Sequence, residues 1–266
     1  MRYMFSAAGD AALTHSVKSN TLIGLDFDGT LSPIVPLPDG AYMTQSMSKT
    51  LNALIGMSKV AIISGRSVDD ILHRIPVRPS YVLGNHGIEG LPGTRDLCLH
   101  ANRLTDDWVR QLRAANGVEA ACRGVVVEDK TFSLAIHYRL CIDRTHARQQ
   151  IEERVVALNP KPRIIHGHCV LNLLHPDAPD KGVAFDSLMA LSGCDNAVFI
   201  GDDETDELVF RGAPEGWLTV RVGYAAGSAA RFFLHQQMEV SLLLEKMAAR
   251  LRLKGVPQSA RQARES

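Results

Sequence analysis

The chain has 266 residues, 45% of them hydrophobic, and its 29 lysines and arginines balance 29 aspartates and glutamates. That length exceeds what one core usually serves, so one large or two modest domains are expected. The even charge excludes a global field favouring nucleic acid or an anionic membrane, and any attraction for an anion must be local.

The first 20 residues hold no apolar stretch long enough for a signal peptide, and no later segment approaches membrane-spanning length. The run Leu22-Ile23-Gly24-Leu25 predicts a buried strand near 22 to 26 that ends on Asp26-Phe27-Asp28-Gly29-Thr30-Leu31. Carboxylates two residues apart at such a strand end stand where ligands of open α/β sheets bind. Gly29 lets the chain turn sharply, and Thr30 adds a hydroxyl and an amide. Asp26 can attack phosphorus if a divalent cation neutralises the repulsion, and Mg²⁺ suits an all-oxygen site. Asp28 can protonate a leaving oxygen and later activate water. The alternative is that both acids only cap the following turn.

A helical pattern near 44 to 57 precedes the strand Val60-Ala61-Ile62-Ile63, which runs into Ser64-Gly65-Arg66-Ser67. The Ser64 hydroxyl and turn amides can hold phosphoryl oxygens, and Arg66 can clamp an anion. Ser67 reads as the N-cap of a helix near 67 to 74. A strand near 80 to 84 leads into Gly84-Asn85-His86-Gly87-Ile88-Glu89. From about 97 to 177 the pattern changes: Leu104, Trp108 and Leu112 recur at helical spacing, followed by strands near 124 to 128 and 133 to 138. A helix near 145 to 158 and a strand ending near Leu174 complete a separate α+β unit with an antiparallel sheet. Trp108 belongs in its core. Glu128 and Lys130 share one strand face, directed either at a ligand or at each other as a surface ion pair.

Lys181-Gly182 opens a helix near 182 to 192, where a lysine can offset charge on Asp26 and a phosphate or simply face solvent. The strand Ala197-Val198-Phe199-Ile200 then runs into Gly201-Asp202-Asp203-Glu204-Thr205-Asp206-Glu207, five acids in six residues. Such carboxylates repel unless solvent or a cation intervenes. Asp202 reads as a direct metal ligand, with Asp203 and Asp206 as outer-shell candidates; an acidic first helical turn is the alternative. Phe232-Phe233 with Leu242-Leu243-Leu244 reads as the packed face of a final helix, and Lys254 to Ser266 as a disordered tail. Strands alternating with helices predict a parallel α/β core. Five cysteines without a CxxC pair predict reduced thiols and a cytoplasmic protein.

The succession DFDGTLSP, SGR, KG and GDDETDE, over residues 22 to 210, resembles the four motifs of the haloacid dehalogenase-like phosphohydrolases. Within that superfamily, Leu83 to Glu89, Glu128-Asp129-Lys130, Ser133 and His137-Tyr138-Arg139 resemble the trehalose-6-phosphate phosphatases. The resemblance implies a Rossmann-like parallel-sheet core over 1–96 and 178–253, with a smaller α+β cap inserted at 97–177. It implies that Asp26 is the nucleophile, Asp28 the acid/base, and Ser64 and Lys181 phosphoryl binders. Mg²⁺ would be held by Asp26, Asp202 and the backbone carbonyl of Asp28. Thr30, Gly65, Arg66, Asn85, His86, Glu128, Lys130, Arg139 and Asn172 would bind substrate. The implied reaction is hydrolysis of trehalose 6-phosphate through an aspartyl-phosphate, by a monomer or weak oligomer functionally linked to a trehalose-6-phosphate synthase.

One segment departs from the family. Members usually carry Gly-Lys, then Val, then Glu two residues later, where this chain reads Gly167-His168-Cys169-Val170-Leu171-Asn172. Asn172 can bond a sugar hydroxyl but brings no charge. Another sugar phosphate, such as sucrose phosphate or a glycosyl-glycerate phosphate, is therefore an alternative substrate. A phosphomutase and a non-enzymatic Mg²⁺-holding regulator are the other classes compatible with the motifs. His166 and His168 could be read as metal ligands, but an exposed strand face explains them.

Overall fold

The computed structural model describes residues 1–18, 20–35, 38–114, 117–167 and 169–255. The chain opens with β1 (Arg2–Tyr3), α1 (Ala7–Ser16), β2 (Thr21–Leu25), α2 (Gln45–Ile55), β3 (Lys59–Ile63), α3 (Val68–Arg74) and β4 (Tyr81–Leu83). A middle stretch follows with α4 (Arg95–Ala114), α5 (Val118–Ala121), β5 (Val126–Asp129), β6 (Ser133–His137), α6 (Arg144–Val156), β7 (Arg163–Gly167) and β8 (Val170–Leu174). The last part holds α7 (Lys181–Ser192), β9 (Asn196–Gly201), α8 (Glu207–Gly212), β10 (Leu218–Val222), β11 (Phe232–Leu234) and α9 (Met238–Gly255).

Seven strands form one parallel sheet in the order β1-β11-β10-β9-β2-β3-β4. Every residue of β2 is buried, as a strand covered on both faces requires. Ile23, Leu25, Val60 and Ile62 face one apolar cluster with α2 and α9, while Leu22, Ala61, Ile63 and Phe199 face another with Phe185 and Leu188 of α7. Side chains alternating along each strand thus join two helix layers to one sheet. β2 lies between β3, its successor, and β9, which arrives some 170 residues later, roughly where open sheets leave a crevice at their C-terminal ends. Asp26 and Asp202 follow those two strands directly.

The middle stretch builds the second sheet, antiparallel in the order β5-β6-β8-β7. Leu134, Ile136, Leu171 and Leu173 on one face pack against Trp108, Leu112 and Ile151 of the helices. Trp108 is fully buried, and its indole N–H donates to the Pro160 carbonyl at 2.7 Å, so burial leaves no polar group orphaned. Trp108→Ala is expected to lower unfolding free energy by about 3–5 kcal/mol in urea titration.

The expected α/β core with an inserted α+β unit is present. The sequence reading missed β1, β10 and β11, and it placed Phe232-Phe233 on the final helix. These two residues form β11 instead, and only Leu243 and Leu244 of the leucine run are buried on α9; Leu242 is half exposed. Helix α9 also extends through Lys254 and Gly255, and the remainder of the expected tail lies outside the described residues. No helix of the described residues is long and apolar enough to cross a membrane.

Candidate active site

Asp26 continues the β2 ladder, its N–H donating to the Ile200 carbonyl at 2.9 Å, and so stands at a fixed height over the sheet edge. Lys181, the first residue of α7, is only 2% exposed. Its ammonium lies 2.9 Å from Asp26 Oδ1 and 2.8 Å from Asp206 Oδ1. Asp206 accepts from the Asp202 and Asp203 amides with its other oxygen, at 2.9 and 3.0 Å. The Asp180 side chain caps α7 by accepting from the Val183 amide at 3.0 Å, which fixes where Lys181 begins.

Gly29 sits at φ +75°, and a Cβ there would come 2.1 Å from the Asp202 carboxylate. Only glycine therefore lets the turn after β2 pass so close to the acid loop after β9. Thr30 is buried; its hydroxyl points at Asp202 Oδ1 over 3.4 Å, and its carbonyl accepts from Gln237 Nε2 at 2.8 Å. Thus the first motif is braced from α9's entrance as well as from β9.

Asp26, Asp202 and Asp206 each offer an oxygen within 4.8 Å of the others. Burial, with repulsion from Asp206 and Asp202, pushes the Asp26 carboxyl well above the usual range despite Lys181. Burial and Asp206 likewise push Asp202 up to about 7. All-oxygen donors that repel one another suit a hard divalent cation, whose charge relieves that repulsion. Asp206 fits least well as a ligand, because both its oxygens are already engaged by Lys181 and backbone amides.

Arg66 grips Asp28 with two bonds, Nε to Oδ2 at 2.6 Å and a terminal nitrogen to Oδ1 at 2.8 Å. It also reaches Asp70 at 2.7 Å, and Asp70 in turn holds Arg74. Burial alone would weaken the Arg66 charge, but Asp28 and Asp70 more than offset it. Ser64 is buried after β3, and its hydroxyl accepts from the Arg66 amide at 3.2 Å. Ser67 caps α3 as expected, accepting from the Asp70 amide.

His86 occupies the left-handed region at φ 61° and lies over Gly65, where a Cβ would meet its ring at 2.7 Å. Neither ring nitrogen has a hydrogen-bond partner of good geometry among the described residues. Burial and the charges of Lys181 and Lys130 hold its pKa well below the ordinary value, although Asn172 pulls the other way. A neutral, buried, strained histidine with unused nitrogens is a functional-site signature.

Asp26, Asp28, Ser64, Gly65, Arg66, His86, Glu128, Lys130, Arg139, Asn172, Lys181, Asp202 and Asp203 all line one cavity of about 460 Å³, a size usual for small-molecule sites. Glu128 accepts from His137 Nε2 at 2.7 Å and lies 3.8 Å from Lys130. Burial would raise the Glu128 carboxyl, but His137 and Lys130 bring it below its ordinary value. Lys130 donates to the Gly65 carbonyl at 3.0 Å, tying the second sheet to the first. Arg139 donates to the Val35 carbonyl at 3.2 Å.

Three expected site residues stand outside that lining. Asn85 is fully buried, bonded to Glu89, the Lys130 carbonyl and Ser133, so it braces the two sheets rather than facing the cavity. Thr30 and Asp206 lie behind the wall. Sequence reasoning missed how Asp206 anchors Lys181, because nothing in the acid run distinguishes it from its neighbours. It also missed His137 as Glu128's partner, although their cross-strand neighbourhood follows from the hairpin between them. His168 lies outside the described residues.

A family model described as Trehalose-phosphatase matches residues 24–221. Trehalose-phosphate phosphatase B of Arabidopsis thaliana is 30% identical over 84% of this chain and 65% of its own length. Probable trehalose-phosphate phosphatase 4 of Oryza sativa is 32% identical over 70% of this chain and 54% of its own. The chain therefore spans less than two thirds of either plant protein. Among solved structures, a trehalose-6-phosphate phosphatase related protein superposes with TM-score 0.70 at 23% identity, covering 86% of this chain and 97% of the other. The C-terminal domain of Candida albicans trehalose-6-phosphate phosphatase gives 0.69 at 20% identity, covering 90% and 95%. At those identities the likeness is one of fold.

Proposed function

Because the chain belongs to the trehalose-phosphatase family, we propose that it hydrolyses trehalose 6-phosphate to trehalose and inorganic phosphate through an aspartyl-phosphate on Asp26. The carrying observation is the Asp26 carboxylate held by buried Lys181, beside Asp202, at the floor of a cavity walled by Glu128, Lys130, His137 and Asn172. Residues 97–177 act as the cap that supplies that wall, over a core of 1–96 and 178–253.

An Asp26 oxygen attacks phosphorus as the ester P–O bond breaks, and the departing sugar oxygen takes a proton from Asp28. Asp28, now ionised, takes a proton from water, whose oxygen attacks phosphorus. The bond to Asp26 breaks and phosphate leaves. Asp26, Asp202 and the Asp28 carbonyl would hold Mg²⁺, which when bound neutralises charge on the phosphoryl group. Lys181 stays charged because Asp206 and Asp26 outweigh its burial, so it steadies the same oxygens. In the free protein Arg66 holds both Asp28 oxygens; an incoming phosphate competes for the guanidinium and frees the Asp28 side chain for proton transfer. Asn85 keeps Lys130 and Ser133 in place rather than touching sugar.

Asp28→Asn is expected to lower kcat by about a hundredfold or more. Turnover equal to the parent's would remove Asp28 from proton transfer. The reading as a whole is tested by phosphate release from a dozen sugar phosphates with and without Mg²⁺. Release from several of them but never from trehalose 6-phosphate would reject the substrate, and full rates in a metal chelator would reject the cation.

A further inference from the structure

The second sheet turns one face to the cavity, and its rows differ in chemistry. Registered partners Glu128, Ala135 and Asn172 form the row nearer the floor, and Val126, His137 and Val170 form the next row outward. His137 turns its Nε2 back onto Glu128, leaving the outer row flanked by two valines. Exposure fixes the direction. Ser64, Lys181 and Asp26 on the floor are at most 4% exposed, whereas Val126, Leu140 and Ile34 at the mouth are 47%, 61% and 61% exposed. The bond from Arg139 to the Val35 carbonyl brings Leu140 of the cap segment toward Ile34 and Val35 of the core loop.

From this we infer that the outer subsite recognises an apolar face, so the site accepts glycoside 6-phosphates whose second sugar is replaced by an aryl or alkyl group. The inference rests on the phosphatase reading above and adds its specificity. The phosphorylated ring sits among Glu128, Lys130 and Asn172, where hydroxyls find partners. Beyond it, a second ring meets the side chains of Val126, Val170, Leu140, Ile34 and Val35, which offer contact area, beside an Arg139 guanidinium already engaged by the Val35 carbonyl. A phenyl ring satisfies those side chains at least as well as the C–H face of a hexose.

The test compares kcat/KM for trehalose 6-phosphate, phenyl α-glucoside 6-phosphate and glucose 6-phosphate with the purified full chain. The phenyl glucoside is expected within about threefold of the trehalose ester, and glucose 6-phosphate at least about tenfold below both. A phenyl glucoside no better than glucose 6-phosphate, with the trehalose ester still tenfold better, would show that the outer subsite reads hydroxyls and overturn the inference. Equal rates on all three would overturn it too. Hydrolysis of none would instead remove the phosphatase reading, and this inference with it. Val126→Ser and Leu140→Ser change exposed side chains, so both should fold, with melting checked by circular dichroism. Each should cut the phenyl-to-glucose preference at least threefold, and an unchanged preference in both would overturn the assignment to these walls.

Discussion

Asp26→Asn is expected to abolish phosphate release from trehalose 6-phosphate, with kcat falling by at least about four orders of magnitude. Asparagine keeps the size and offers Lys181 a carbonyl oxygen, so the buried contact at 2.9 Å survives in neutral form. What disappears is the proposed nucleophile, and neighbouring carboxylates are not free to replace it. Asp202 is one of three acids whose oxygens could share a cation, and Asp206 is bound on both oxygens. Trapping with acid after mixing with phosphate-labelled substrate should leave label on the parent protein and none on the variant. A loss smaller than a hundredfold, or label retained on the variant, would require another nucleophile.

Lys181→Met is expected to cost about 3–5 kcal/mol of stability at pH 7 as well as activity, measured by chemical denaturation. Lys181 is 2% exposed and shared by two carboxylates, so removing it strands negative charge where water barely reaches. Burial would lower its pKa, but Asp206 and Asp26 raise it above the unfolded value of 10.5. Its stabilising contribution is therefore complete below that value and lost only as pH rises through the folded one. In the variant the strain comes from Asp26, already pushed above 3.8 by burial. A raised acid destabilises the fold above its unfolded pKa, so the deficit should shrink as pH falls from 7 toward 4. A cost below 1 kcal/mol, or one that does not change with pH, would contradict the charge-pair account.

How much of this was legible beforehand varies by residue. The strands before Asp26, Ser64 and Asp202 announce themselves because sheets covered on both faces need unbroken apolar runs. β1 has two residues and carries no periodicity, and Phe232 to Leu234 is too short to separate from the helix after it. Motif order predicted that Asp26, Ser64, Lys181 and Asp202 would line one cavity, and they do. It did not reveal that Asp206 is the lysine's second anchor, since that depends on which way one turn of an acidic loop faces. Nor did it show that Asn85 braces rather than lines. An asparagine's four hydrogen-bonding positions look alike in sequence, and only the neighbours Glu89, Lys130 and Ser133 decide between contact and support.

The bond from Gln237 to the Thr30 carbonyl reaches in from outside the span that the family model matches, 24–221. β11 and α9 lie beyond that span as well, and α9 buries Leu243, Leu244 and Met247 against the sheet. A fragment trimmed to the recognisable family segment would thus lose an outer slab of its sheet and the brace on the turn after β2 together. It should precipitate when expressed alone, because the turn after β2 leans on a side chain 207 positions further along the chain.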